Sequence, residues 1–146
     1  MKVSDAMTRD VRVASPHETI YDAARAMEAM DIGALPVGQD DRLVGMVTDR
    51  DIVVRALARS KGPNTRVREV MSMEVRYCYD DEDLGHVAAN MAELRVHRLP
   101  VVDRDKRLVG IISLGDIAMA QGRAAAGEAI IGVSRPGGPH SQKTRA

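Results

Sequence analysis

Shifted along itself by 64 places, the sequence lays its first half over its second, and this internal repeat limits the possible folds more than any other feature. Val3 falls on Val67, Met7 on Met71, Val11-Arg12 on Val75-Arg76, Glu18 on Glu82, Ala24 on Ala88, Met27 on Met91 and Leu35-Pro36-Val37 on Leu99-Pro100-Val101. One extra residue enters the second copy's turn. Beyond it, Arg42-Leu43-Val44-Gly45 falls on Arg107-Leu108-Val109-Gly110 and Asp51-Ile52 on Asp116-Ile117, now at a shift of 65. A chain of 146 residues supports one sizeable core, and a unit of about 60 residues buries little surface alone, so the copies are expected to pack as a pseudo-twofold pair.

Within the first copy, Val11 to Ala14 reads as an extended piece. Ile20, Ala23, Ala24 and Met27 then follow the spacing of an amphipathic helix, with Thr19 as its cap and Gly33 as its end. Leu35 to Gly38 and Leu43 to Thr48 read as a hairpin around the polar turn Gln39 to Arg42. A second helix begins near Asp49, is expected to send Ile52, Val53 and Leu57 inward, and stops before Gly62-Pro63-Asn64. The second copy repeats the order with a strand at Val75 to Cys78, a helix from about Asp83 to Leu94, strands at Leu99 to Val102 and Leu108 to Ser113, and a helix from Leu114. The expected fold is mixed α+β: a β-α-β-β-α repeat over residues 1–62, a linker at 63–66, a second repeat over 67–122, then an Ala-rich extension and mobile basic tail at 123–146.

Composition excludes several classes of function. Lys plus Arg and Asp plus Glu both number 21, and with neither Phe nor Trp and only three Tyr the chain lacks both a basic field and stacking platforms for nucleic acid. A single cysteine, Cys78, excludes an internal disulfide and fits a reducing, cytoplasmic setting. His17, His86, His97 and His140 are scattered without metal-ligand spacing, and Met27, Met30, Met46, Met71, Met91 and Met119 read as core residues rather than soft-metal ligands. The acidic run from Asp80 to Asp83 reads as the first turn of a helix. No nucleophile stands paired with a base, so no catalytic residue and no enzyme activity are expected. No apolar run is long enough for a membrane span. The basic tail residues Arg135, Lys143 and Arg145 read as solubilising charges.

The repeated element with chemical content is Gly45-Met46-Val47-Thr48-Asp49-Arg50-Asp51 and its partner Gly110-Ile111-Ile112-Ser113-Leu114-Gly115-Asp116. A hydroxyl ends a strand and a carboxylate follows three residues later, at the start of a helix. A sugar phosphate suits that pattern, with the carboxylate on ribose hydroxyls and the hydroxyl and amides on phosphate. A plain helix cap satisfies the same spacing.

The doubled pattern of an apolar-Met start, an Ala-rich helix, Leu-Pro-Val, then Gly, two apolar residues, Thr or Ser, two residues and Asp resembles the cystathionine-β-synthase (CBS) domain, and two in tandem resemble a Bateman module. The segments Asp31 to Val37 and Thr48 to Val53 are similar to those of stand-alone bacterial CBS pairs, a type that includes a mycobacterial hypoxic response protein. The resemblance implies a cleft between the repeats for AMP, ADP, ATP or S-adenosylmethionine. It implies ribose contacts at Asp51 and Asp116, phosphate or ribose contacts at Thr48 and Ser113, and adenine walls from Val11, Val75, Ala34, Leu35 and Pro36, with each site drawing on both repeats. Val96-His97-Arg98-Leu99 resembles the segment of the AMP-activated protein kinase γ subunit where a His and an Arg meet nucleotide phosphates. The first repeat departs from it, with Gly33 and Ala34 at those places. A homodimer and an unidentified effector protein are the implied partners. The competing expectation is a ligand-free dimeric interaction module, in which His97 and Arg98 are ordinary surface groups.

Overall fold

The structure, a computed structural model, describes residues 1–121 together with 127, 130–132 and 134. Apart from those last few residues, the expected extension and tail lie outside the described residues. The elements are α1 (Ile20–Met30), β1 (Ala34–Gln39), β2 (Arg42–Thr48), α2 (Asp49–Arg55), β3 (Cys78–Tyr79), α3 (Leu84–Leu94), β4 (Arg98–Val102), β5 (Leu108–Ser113) and α4 (Leu114–Gln121), with 3-10 turns at Val3–Asp5, Leu57–Arg59 and Val67–Glu69. The fold is α+β, as the repeat pattern predicts.

Two compact units form, and they are not the two contiguous repeats. The α1 unit comprises Asp10–Val75 with Lys106–Leu108, and the α3 unit comprises Met1–Arg9, Arg76–Asp105 and the described residues from Val109 on. Each repeat's opening segment therefore belongs to the unit built on the other repeat's helices. Val67 and Val70 are fully buried with Ile20, Met27, Leu35, Val37 and Val47, while Val3 and Met7 are buried with Leu84, Met91, Leu99, Val101, Ile112 and Ile117.

The glycine that opens each repeated motif makes this exchange possible. A Cβ on Gly45 would lie 2.9 Å from the carbonyl oxygen of Ser72, and one on Gly110 would lie 2.6 Å from that of Thr8. At both places the exchanged backbone pairs with the strand: the Met46 N–H donates to Ser72 O at 3.0 Å, and the Thr8 N–H donates to Ile111 O at 2.9 Å. Glycine here supplies room for a second backbone.

In the α1 unit, the Thr19 hydroxyl accepts from the Asp22 N–H at 3.1 Å and starts α1. Ile20, Ala23 and Met27 face the core, but Ala24, predicted on that stripe, is exposed. The helix does not end on Gly33. Asp31 takes the left-handed conformation (φ 54°), and the Ile32 N–H reaches back to Met27 O at 3.1 Å in a Schellman closure. Asp tolerates this conformation better than most side chains, and Ile32 packs on the core beside it. β1 and β2 pair antiparallel from Ala34↔Thr48 to Gln39↔Arg42, with a register shift at Val37/Gly38. Asp40 and Asp41 both have positive φ (53° and 62°), the requirement of a type I′ turn.

The predicted strand at Val11 to Ala14 reduces to one parallel bridge, Ala14↔Val37. Pro16, which lacks an N–H, turns the chain two residues later. Its counterpart at Val75 to Cys78 likewise shrinks to β3, which pairs parallel with β4 through Cys78↔Val101 and Tyr79↔Val102.

From α2 Ile52 packs on the core, and Ala56, just past its end, is fully buried, whereas Val53 and Leu57, the latter in the 3-10 turn that follows, are 53% and 70% exposed, against expectation. The helix is short, so its single inward direction is set by Ile52 and continued by Ala56 at its cap, and Val53 lies about 100° round from Ile52.

The α3 unit repeats these devices. Asp83 caps α3 by accepting from the His86 N–H at 3.1 Å, Leu84, Val87, Ala88 and Met91 face inward, and Arg95 (φ 59°) closes the helix with the Val96 N–H on Met91 O. β4 lies between β3 and β5 in its sheet. Met119 on α4 is 91% exposed and Met30 on α1 is also exposed, so neither belongs to the core as the spacing predicts.

Candidate functional site

The hydroxyl and carboxylate of each repeated motif come together as the sequence predicts. β2 ends on Thr48, whose Oγ1 accepts from the Asp51 N–H at 3.0 Å, while Asp51 Oδ2 accepts from the Thr48 N–H at 2.9 Å. β5 ends on Ser113, whose Oγ accepts from the Asp116 N–H at 3.1 Å, while Asp116 Oδ2 accepts from the Ser113 N–H at 3.0 Å. Both are reciprocal capping boxes, so the structural reading of the spacing holds.

The caps do not exhaust the groups. Each box uses one carboxylate oxygen and one hydroxyl lone pair, which leaves Oδ1 and the hydroxyl proton for another partner. Asp51 Oδ1 lies 3.8 Å from Arg55 Nε, and Asp116 Oδ1 has no partner among the described residues. A vicinal diol donates two hydrogen bonds, and a partly buried carboxylate with a spare oxygen is a matching acceptor.

The surrounding residues divide by repeat. In the α1 unit Val11 and Gly33 are half-buried, Ala34 and Pro36 are buried, and Leu35 points wholly into the core, so its side chain serves packing. In the α3 unit Arg76, which follows Val75 in the chain, is exposed, and His97 and Arg98 stand exposed just before the buried Leu99 and Pro100. Val75 itself, half-buried, belongs to the α1 unit.

Arg12 and Glu18 form a two-pronged ion pair, Nη1 to Oε1 at 2.8 Å and Nη2 to Oε2 at 2.9 Å. That pair holds the Glu18 carboxyl below its ordinary range, against the opposing effect of burial, and raises the Arg12 guanidinium. Arg104 makes a similar fork on Asp81, with its guanidinium 4.1 Å from the Tyr79 ring centroid.

Burial, with Glu82 and Asp80 nearby, pushes the Cys78 thiol up to about 12, so it is a packing residue rather than a nucleophile. Among the described residues no three His, Cys, Asp or Glu side chains group as metal ligands, and no helix is long and apolar enough to cross a membrane. One residue that the sequence reasoning did not single out is Asp49. Its carboxylate lies against Gly33, and the only pointer to it in the sequence is the missing side chain opposite.

The CBS domain family model matches residues 3–57 and again 67–123. CBS domain-containing protein YhcV of Bacillus subtilis is 41% identical over 133 residues, 90% of this chain and 94% of the relative. Hypoxic response protein 1 of Mycobacterium tuberculosis is 42% identical over 116 residues, 78% of this chain and 80% of the relative. A crystal structure of Hypoxic Response Protein I with two coordinated zinc ions aligns with a TM-score of 0.75 at 40% identity, covering 82% of this chain and 98% of that one. The CBS domain pair of MJ0100, solved with 5′-methylthioadenosine and S-adenosyl-L-methionine, aligns at 0.71 and 32% identity, covering 82% and 94%. CBSX2 in complex with AMP aligns at 0.72 and 28% identity with the same coverage. With the family's domain matched twice and the hydroxyl–carboxylate box built twice, this chain belongs to the CBS domain family as a tandem CBS pair.

Proposed function

We propose that this chain is a non-catalytic regulatory module that binds an adenosine-containing ligand, AMP, ADP, ATP or S-adenosylmethionine, and signals in trans to a partner protein from the cytoplasm. The carrying observation is the pair of capping boxes, each with a spare carboxylate oxygen on a half-buried Asp and an uncommitted hydroxyl proton. The complexes of MJ0100 and CBSX2 with adenosine compounds support the reading, since both are structural neighbours above 25% identity. In this reading Asp51 and Asp116 hold ribose, Thr48 and Ser113 contact ribose or phosphate, and His97 and Arg98 add cations for phosphate. Val11, Val75, Ala34 and Pro36 line the adenine, and Gly33 is a ligand-site residue at the place matching His97. A ligand signals only if it binds two shapes of the protein unequally.

The exposed Val53 and Val54 on α2, Leu57 in the turn after it and Met119 on α4 favour a second copy of the chain as a further partner. They also favour the competing reading of a ligand-free dimeric interaction module, which the first experiment separates. Calorimetric melting is recorded alone and with millimolar AMP, ADP, ATP or S-adenosylmethionine on protein freed of nucleotide. A ligand at a hundred times its Kd adds about 2.7 kcal/mol, a rise of roughly 5–10 °C for a chain of this length. Asp116→Asn keeps a cap acceptor and removes the charge, and it should weaken the selected ligand about tenfold without moving the melting point of the unliganded protein. A flat panel overturns the ligand reading and leaves the interaction module.

A further inference from the structure

Around one shared backbone geometry the two repeats carry different charges at different places: an acid, Asp49, in the first and the basic His97 and Arg98 in the second. The Asp49 N–H donates to Gly33 O at 2.9 Å, and the Leu114 N–H donates to His97 O at 3.1 Å, so the two helix starts are tied to the two strand entries in one geometry. The side chains mounted on that geometry differ. In the α1 unit Gly33 contributes none, and the Asp49 carboxylate takes the room: a Cβ on Gly33 would lie 2.8 Å from Oδ2 and 3.3 Å from Oδ1. Asp49 Oδ1 accepts from the Arg50 N–H at 2.8 Å, and the carboxylate enters no ion pair among the described residues. Arg12, the cation that the repeat matches with Arg76, is committed at both prongs to Glu18. In the α3 unit the counterparts are Arg76, His97, Arg98 and Leu114. All three of the basic residues are exposed and none is in an ion pair among the described residues. Glu82, the counterpart of Glu18, accepts instead from the Tyr79 N–H and lies 4.0 Å from His86.

We infer that the two repeats are unequal toward anions: the second repeat takes the phosphate-bearing end of an adenine nucleotide, and Asp49 makes the first repeat reject phosphate and accept only an uncharged or cationic adenosine compound. The inference rests on the proposed ligand reading and adds Asp49 as its specificity-determining residue. Phosphate and carboxylate at contact distance repel even when solvated, whereas Arg98 offers a planar fork that fits phosphate oxygens. Arg50 does not cancel Asp49, because successive helical residues point about 100° apart and its guanidinium makes no bond to that carboxylate.

The test is isothermal titration of the full-length, nucleotide-free protein with adenosine and with ATP, on the wild type, Asp49→Asn and Arg98→Ala. The wild type should take one ATP per chain. Asp49→Asn, which keeps the acceptor for the Arg50 N–H, should raise ATP affinity relative to adenosine about three- to tenfold or add a second ATP. Arg98→Ala should weaken ATP about tenfold and leave adenosine unchanged. Two equal ATP sites in the wild type, or an unchanged ATP-to-adenosine ratio in Asp49→Asn, overturns the inequality while the ligand reading stands. A wild type that takes up neither compound, nor S-adenosylmethionine added as a third probe, overturns both.

Discussion

In the α1 unit Thr48 and Asp51 close their capping box with bonds of 3.0 and 2.9 Å, and in the α3 unit Ser113 and Asp116 close theirs with 3.1 and 3.0 Å. Asp31 and Arg95 end equivalent helices at φ 54° and 59°, and Gly45 and Gly110 admit equivalent exchanged backbones. Against that shared frame, Gly33, Ala34 and Asp49 stand where the other repeat has His97, Arg98 and Leu114. The backbone and core kept their two-fold likeness because both copies solve one packing problem. Exposed side chains carry no such obligation, and it is there that the repeats differ in charge.

The largest expected effect tests the likeness itself. Leu35 is fully buried and its repeat partner Leu99 is 3% exposed, each in its own core cluster. Leu35→Ala and Leu99→Ala should each cost about 2–5 kcal/mol in urea unfolding. Equal costs sharpen the comparison. A cost under about 1 kcal/mol at either position breaks it, by showing that one core collapses around the loss.

Removing the caps is a smaller perturbation. Asp51→Ala and Asp116→Ala each delete the acceptor for a strand-end N–H and should cost roughly 1 kcal/mol in the same measurement. Asp51 also lies 3.8 Å from the half-exposed Arg55, a long contact that adds little, so the two values should agree within about 0.5 kcal/mol. A near-zero cost at both positions would mean that the boxes are decoration and that the carboxylates are held for another purpose.

Much of this frame is legible in the sequence because it rests on local chemistry. Thr19 before Ile20, the Asp40-Asp41 turn and the hydroxyl–carboxylate spacing are decided within three or four residues. What the sequence hides is tertiary. The exchange of Val3 and Val67 between units depends on which core is nearer, and no local pattern reports that. Val53 and Leu57 look like core residues by hydrophobicity, yet the inward places are taken by Ile52 in the short helix and Ala56 at its cap. Gly33 reads as a helix end by type, but Asp31 supplies the left-handed residue and Gly33 makes room for Asp49. The candidate ribose-binding pair was visible as spacing. The charge contrast around it is half visible in the sequence, as His97-Arg98 against Gly33-Ala34, and its other half, the Asp49 carboxylate against Gly33, is a tertiary contact.

The smallest effect separates the repeats by pH. Glu18 sits below its ordinary value of 4.5 because Arg12 bonds both of its oxygens, with the Ser15 N–H helping and burial opposing. A folded carboxyl that holds its proton less tightly than the unfolded chain stabilises the fold fully above about pH 4.5. That stabilisation fades as pH falls through the lower folded value. Arg12 is one-third exposed, so solvent screens the pair and its contribution should be about 0.5–1 kcal/mol. Glu18→Gln keeps an acceptor for the Ser15 N–H, and should lower stability by that amount at pH 7 and by almost nothing at pH 3. Glu82→Gln at the equivalent place keeps its bond from the Tyr79 N–H and should change stability by less than about 0.5 kcal/mol at either pH, since no arginine is forked onto Glu82. Unfolding curves of the two variants and the wild type at pH 7 and pH 3 decide the matter. Equal losses at pH 7 would mean that Arg76 engages Glu82 in solution as Arg12 engages Glu18, and the cation left open in the second repeat would then be committed after all.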